Sequence, residues 1–259
     1  MPRDGGPTRE KLLDAALKLW AVRGLEGTTL ADINEAAGQR NTSAIQYHFD
    51  GRDGLIRAIY ARFVPGVIAH HEELLERART SRRVRPAAEA IVLPLGKLLT
   101  GDWRDRAFVE LLAQMFAGTQ ISDPQWVDLV GIQLVRRNGE GVIGEVDALI
   151  LDRIAPLPPP LGIMRLTVAS HFVARSLADF ARHWDKHGPQ GSEDPELFIS
   201  NLVDMFIATL TAPVSASSSA VLATVNEKSG RRSQSIAAGA RSLRKRSASP
   251  TSAGRPHAK

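Results

Sequence analysis

Four short stretches of helical periodicity within residues 8–63, each closed by glycine or a polar turn, constrain this chain more than any other feature. TREKLLDAALKLWAVRG sets Leu12, Leu13, Ala16, Leu19 and Trp20 on one stripe at three-to-four spacing, with Thr8 as cap and Gly24 as stop. TTLADINEAAG follows, with Leu30, Ile33, Ala36 and Ala37 inward and Gly38 closing. QRNTSAIQYHF is the third stretch, and a fourth begins near Gly51 and runs through Leu55, Ile56, Ile59, Tyr60 and Phe63. No segment shows sustained strand alternation bounded by hairpin turns. The expected fold is all-α, with an N-terminal three-helix helix-turn-helix domain and a larger C-terminal helical domain.

Two short helices joined by a tight, glycine-containing turn form a helix-turn-helix pattern over residues 28–52. At 100° per residue, Ile45 and Phe49 of the second helix point back toward Leu30, Ile33 and the first helix of the chain, while Ser43 and Tyr47 lie opposite. A helix anchored by two large apolar groups, with small or hydrogen-bonding groups on its other side, fits a DNA major groove. Asn41 is the expected N-cap, and the first amides of that helix would face a phosphate. Gln46 can read adenine bidentately, and Tyr47 can meet a thymine methyl or a phosphate. Other readings stand beside this one. Ser43-x-x-Gln46 has the spacing of a capping box, and residues 1–64 carry nine basic side chains against eight acids, which is no basic patch.

The same residues resemble a known family. Ala15-Ala16 in the first helix, Thr28-Thr29 opening the second, Ala37-Gly38 in the turn, His48-Phe49 closing the third and Arg52 after it follow the pattern of TetR-type DNA-binding domains. The resemblance covers roughly residues 8–60. It implies phosphate contacts from Thr29, Tyr47, His48 and Arg52, and base readout by the segment Arg40, Asn41, Thr42, Ser43 and Gln46. This chain departs from the pattern in two ways: it has one extra residue between Ala37-Gly38 and Phe49, and Gln46 stands where an aromatic is usual, with Tyr47 one place later.

Beyond the first sixty residues the chain still reads as helix, with breaks expected at Pro65-Gly66, Pro86, Gly101, 118–124, Asn138-Gly139 and 155–162. Two long amphipathic segments, 161–187 and 193–211, stand out, the second opened by Ser192. The resemblance implies that such helices pair with their mates in a dimer. Leu166, Val173, Leu177 and Phe180 form one stripe, and Phe198, Leu202, Met205 and Phe206 the other; each suits a two-fold interface or an internal core. Trp103, Phe108, Leu112, Met115, Phe116 and Trp126 concentrate large side chains between helices, with His171 in an apolar segment. They suit an effector pocket or plain core.

Net charge is +5, but the stretch from residue 213 onward holds nine Lys/Arg and one acid, so it carries +8 and residues 1–212 carry −3. The expected division is a disordered 1–7, a DNA-binding domain over 8–50, an effector-binding and dimerisation domain over 51–212, and a disordered basic tail over 213–259. The chain has no cysteine, which excludes disulfides and thiolate chemistry. His183-x-x-x-His187 has metal-ligand spacing but no evident third ligand. No phosphate loop, dinucleotide fingerprint or G-x-S-x-G is present, so no cofactor, no metal and no enzyme activity is expected. Without an apolar run long enough for a signal or a membrane span, the expected setting is the cytoplasm. The expected partners are double-stranded operator DNA, a small apolar effector and a second copy of the chain, with no membrane. The functional expectation is a dimeric, effector-released repressor on a palindromic operator. The alternative is a helical small-molecule-binding or protein-interaction module with a vestigial helix-turn-helix.

Overall fold

The computed structural model describes residues 6–41, 43–118, 142–154, 157–191 and 193–225, without the side chains of 116–118, 142, 143 and 159. Regular structure among them is entirely helical. Helix α1 spans Gly6–Arg23, α2 Leu30–Ala36, α3 Ala44–Phe49, α4 Arg52–Thr80 and α5 Val84–Gly96. After a 3-10 turn at Lys97–Thr100 come α6 (Trp103–Gly118), α7 (Val142–Arg153), α8 (Pro159–His187) and α9 (Pro195–Thr211).

Residues up to Thr211 form one unit with two apolar cores. The first gathers Leu12 and Trp20 of α1, Ile33 of α2, Ile45 and Phe49 of α3, Leu55 to Val64 of α4, and Phe108, Leu112 and Met115 of α6. The second joins Leu74 to Ala78 of α4 with α5, Val109 of α6, α7, α8 and α9. Helix α4 therefore serves both cores, at about 43 Å of length for its 29 residues. So does α6, with Phe108 and Val109 turned to opposite cores. The expected boundary after residue 50 is no break in packing, because α4 starts at once and carries the first core into the second.

Several sequence expectations need correction. Helix α1 starts at Gly6, so Thr8 sits in its first turn rather than capping it, and residues 6–7 are helical; 1–5 lie outside the described residues. Pro65 lies inside α4, which continues through it, and Pro86 lies in the first turn of α5, where a missing N–H costs no hydrogen bond. Residues 216–225 form a helix where a structureless tail was expected from 213. The Ser215 hydroxyl accepts from the Ser218 N–H at its start, and no residue of it is buried. Residues 226–259 lie outside the described residues, as do the expected breaks at 118–124 and 138–139.

The stripes expected to pair two chains are mostly internal. Leu166, Val173, Leu177, Phe180, Leu202 and Phe206 are buried in the second core. Phe198 is half-buried and stacks on Phe180 with ring centroids 4.3 Å apart. Met205 is exposed. Each amphipathic helix has turned its strongest apolar stripe onto its own body and left a weaker one outside: Ile163, Met164 and Val168 on α8, Leu197 and Met205 on α9. Among the described residues no single helix is long and apolar enough to cross a membrane.

Candidate nucleic-acid interface

A six-residue helix such as α3 cannot hold itself in water, so its placement depends on what anchors it. Ile45 and Phe49 are buried beside Ile33 and Leu12; burying each stabilises by about 2 kcal/mol. Helix α2 is set by a capping box. The Thr29 hydroxyl accepts from the Asp32 N–H at 3.1 Å, and the Asp32 carboxylate accepts from the Thr29 N–H at 2.8 Å and its hydroxyl at 2.7 Å. Those bonds hold the Asp32 carboxyl below its ordinary value. Thr28 is buried, its hydroxyl donating to the Gly24 carbonyl at 3.0 Å.

The turn between α2 and α3 runs from Ala37 to Ser43. Gly38 takes φ +67°, a conformation that glycine adopts without strain. The Gln39 N–H donates to the Asn34 carbonyl at 2.9 Å. The Asn41 side chain accepts from the Ser43 N–H at 3.0 Å, and its carbonyl accepts from the Ala44 N–H at 3.1 Å. Asn41 thus shapes the entry from two residues upstream, while Ser43 holds the N-cap position without a side-chain cap bond. The Ser43-x-x-Gln46 capping box is not formed.

Helix α3 ends at Asp50, in the left-handed region at φ 59°. Gly51 follows at φ 92°, and α4 begins at Arg52. At Gly54, a Cβ would stand 1.5 Å from the Phe49 carbonyl oxygen, so the close approach of α3 and α4 requires glycine.

The anchored side of α3 leaves Ser43, Gln46 and Tyr47 exposed, with His48 half-buried. Tyr47 is 84 % exposed, its ring edge-on to His48 at 5.0 Å. Arg40, Asn41 and Thr29 are exposed as well. Thr42 lies outside the described residues.

Two expected contacts are already engaged. The Gln46 amide donates to the Asp50 carboxylate at 2.8 Å, which places an acid beside the residue expected to read adenine. The Arg52 guanidinium donates to the Leu25 carbonyl and lies 3.8 Å from Glu26, pinning the loop between α1 and α2 rather than projecting outward. Arg9, which the sequence reading passed over, lies over the Phe49 ring at 5.0 Å and adds a cation beside α3. The Gln46–Asp50 spacing of four was the signal for the first of these pairs.

The residues expected to line an effector pocket are differently placed. Phe108 is fully buried, stacked on Phe63 at 4.5 Å and edge-on to Tyr60 at 5.3 Å. The Tyr60 hydroxyl donates to the Met115 sulfur at 2.8 Å. Leu112 is buried in the same core and Trp103 packs against it. These four residues are the joint between the helix-turn-helix and the body. Trp126, and the side chain of Phe116, lie outside the described residues. His171 is half-buried on α8, its Nε2 buried without a hydrogen-bond partner among the described residues. The His183 ring lies 4.4 Å from that of His187 and bonds the Gly191 carbonyl at 2.9 Å. Asp185 pairs with Arg106 at 2.5 Å. No group of three or more metal-ligating side chains gathers among the described residues.

Residues 12–59 match the family described as bacterial regulatory proteins, tetR family. The repressor KstR2 of Rhodococcus jostii is 35% identical over 74 residues, 29% of this chain and 36% of that protein. The repressor ComR of Escherichia coli is 37% identical over 67 residues, 26% of this chain and 31% of that protein. The chain thus spans about a third of the length of each relative. Among solved structures, the Pseudomonas aeruginosa repressor NalD aligns over 80% of this chain and 98% of its own, at 20% identity and a TM-score of 0.45. The TetR-family regulator PfmR of Thermus thermophilus aligns over the same two shares at 15% identity and a TM-score of 0.44.

Proposed function

Residues 12–59 match the tetR family, and we propose that this chain is a homodimeric repressor of the TetR type that reads a palindromic operator and releases it on binding a small molecule. It acts in the cytoplasm as a binding protein and not as an enzyme. One observation carries the reading: α3 is fixed on one side by Ile45 and Phe49 and offers Tyr47 and Gln46 to solvent on the other. That is the arrangement a major groove admits. Tyr47, Gln46, Ser43 and Arg40 make the base contacts. Thr29, His48 and the first amides of α3 meet phosphates.

The dimer forms through the outward stripes of α8 and α9. Ile163, Met164 and Val168 with Leu197 and Met205 leave apolar surface uncovered on two neighbouring helices, and a two-fold partner covers it. Two such chains set their α3 helices into successive major grooves, one turn of DNA or a multiple of it apart. The effector binds in the helical body, where the buried Nε2 of His171, without a hydrogen-bond partner among the described residues, offers a polar contact. Its binding favours a conformer with the wrong spacing of the two α3 helices. By linkage, DNA then weakens effector binding by the same factor.

The test is operator selection with the full chain against random duplex DNA at physiological salt, repeated with Tyr47→Ala. Enrichment of a palindrome by the parent and its loss in the variant is the expected result. Equal, sequence-blind binding by both proteins would refute the reading. It would favour the alternative, a helical binding module whose helix-turn-helix no longer reads DNA.

A further inference from the structure

We propose that a groove along the outer face of α1 binds a small organic anion with an apolar body. The groove is an open surface cleft of about 780 Å3, within the size range of small-molecule sites. It runs from the C-terminal end of α2, at Ala36 to Gly38, to Trp103 at the start of α6. Leu19, Val22 and the Trp103 side chain give it apolar walls, and Lys11, Lys18 and Arg23 give it cations. Val22, which belongs to no core, is 80 % exposed.

Three cations and one acid line the groove. Its one acid, Asp14, has both oxygens engaged by the Arg104 guanidinium, at 2.7 and 2.6 Å, and lies 3.6 Å from Arg62. Among the described residues neither Lys11 nor Lys18 makes a salt bridge, and both are exposed. The two lysines therefore stand over an apolar surface without a salt-bridge partner among the described residues, while Arg23 has the Asp32 carboxylate within electrostatic reach. A phosphate backbone would meet the lysines and leave the apolar walls in water; a neutral hydrocarbon would do the reverse. A molecule with an anionic head and an aromatic or aliphatic body uses both.

The groove is lined by no residue of α3. Its position still has a consequence. An occupant touches α1, the end of α2 that leads through Gly38 into the turn before α3, and the first residue of α6. It ties the DNA-reading helices to the body at a second point.

Fluorescence titration of the full chain tests the site with two probes that share an aromatic body, anilinonaphthalene sulfonate and the neutral phenylnaphthylamine. The parent is expected to bind the sulfonate saturably and more tightly than the neutral amine. Joint substitution of Lys11→Glu and Lys18→Glu is expected to weaken the sulfonate about tenfold and to spare the amine. Val22→Asp, at an exposed position that cannot unsettle the core, is expected to weaken both. Sulfonate affinity unchanged in both variants would overturn the proposal. So would equal affinity of the two probes for the parent, or no saturable sulfonate binding at all.

Discussion

Asp50 stands at the edge of the proposed reading surface with two roles that pull against each other. Its left-handed backbone ends α3, and its carboxylate holds the Gln46 amide at 2.8 Å. A carboxylate beside a phosphate backbone opposes DNA binding. Asp50→Asn keeps a residue tolerant of φ 59° and keeps an acceptor for Gln46, but removes the charge. DNA affinity is expected to rise roughly three- to tenfold, with little change in which sequence is preferred. Competition binding on specific and random duplexes checks both halves, and a fall in affinity would mean that the ionised pair itself positions Gln46. Much of this scale was legible in the sequence. The periodicity that sent Ile45 and Phe49 inward also sent Tyr47 outward, because 100° per residue fixes both at once. The spacing of four already put Asp50 within reach of Gln46, but nothing local could show that Arg52 would be engaged, since that bond depends on where the Leu25 carbonyl ends up in space.

At the level of elements, the α3–α4 joint shows how little freedom the motif has. A Cβ on Gly54 would collide with the Phe49 carbonyl, and Phe49 is one of the two anchors of α3. Gly54→Ala is expected to cost more than about 2 kcal/mol and to abolish DNA binding together with stability, as read by denaturant unfolding and by DNA titration. An unfolding midpoint equal to the parent's would show that the two helices can separate cheaply. The long C-terminal helices carry the opposite lesson. Their amphipathic pattern was plain in the sequence, yet the stripe assigned to a partner chain became the internal core. A pattern records how apolar a face is, not what covers it, and the strongest face went to the nearest body. The outward stripe is weaker in pattern and was passed over. Met164 is 61 % exposed and Val168 56 %, so Met164→Glu with Val168→Glu leaves the fold intact and places like charges across a two-fold contact. Sedimentation equilibrium is expected to find the parent at twice the monomer mass and the double variant at the monomer mass; a parent that is already monomeric would exclude the proposed dimer.

On the scale of the whole molecule, the two cores are joined by continuous helices, and the body that α4 enters holds a buried and a half-buried titratable group with opposite pH signatures. Burial lowers the His71 imidazole of α4 to about 4, from an ordinary value of 6.5. Between those values the unfolded chain takes up a proton that the folded chain refuses, so His71 makes stability fall as pH drops from 6.5 to 4. Burial raises the Asp147 carboxyl of α7 to about 6, from an ordinary 3.8. Between those values the folded chain holds a proton that the unfolded chain has lost, so Asp147 makes stability rise over nearly the same interval. Each contribution is about 3 kcal/mol at full extent, and the two nearly cancel. Removing either group exposes the other. His71→Gln is expected to gain stability relative to the parent as pH falls from 6.5 to 4, and Asp147→Asn to lose it, each by about 3 kcal/mol. Urea unfolding at fixed protein concentration across that range measures both differences and keeps any association equilibrium constant. If the difference between His71→Gln and the parent did not vary with pH, His71 would have to carry its proton equally in both states. The second core would then admit a charge that its apolar packing is built to exclude.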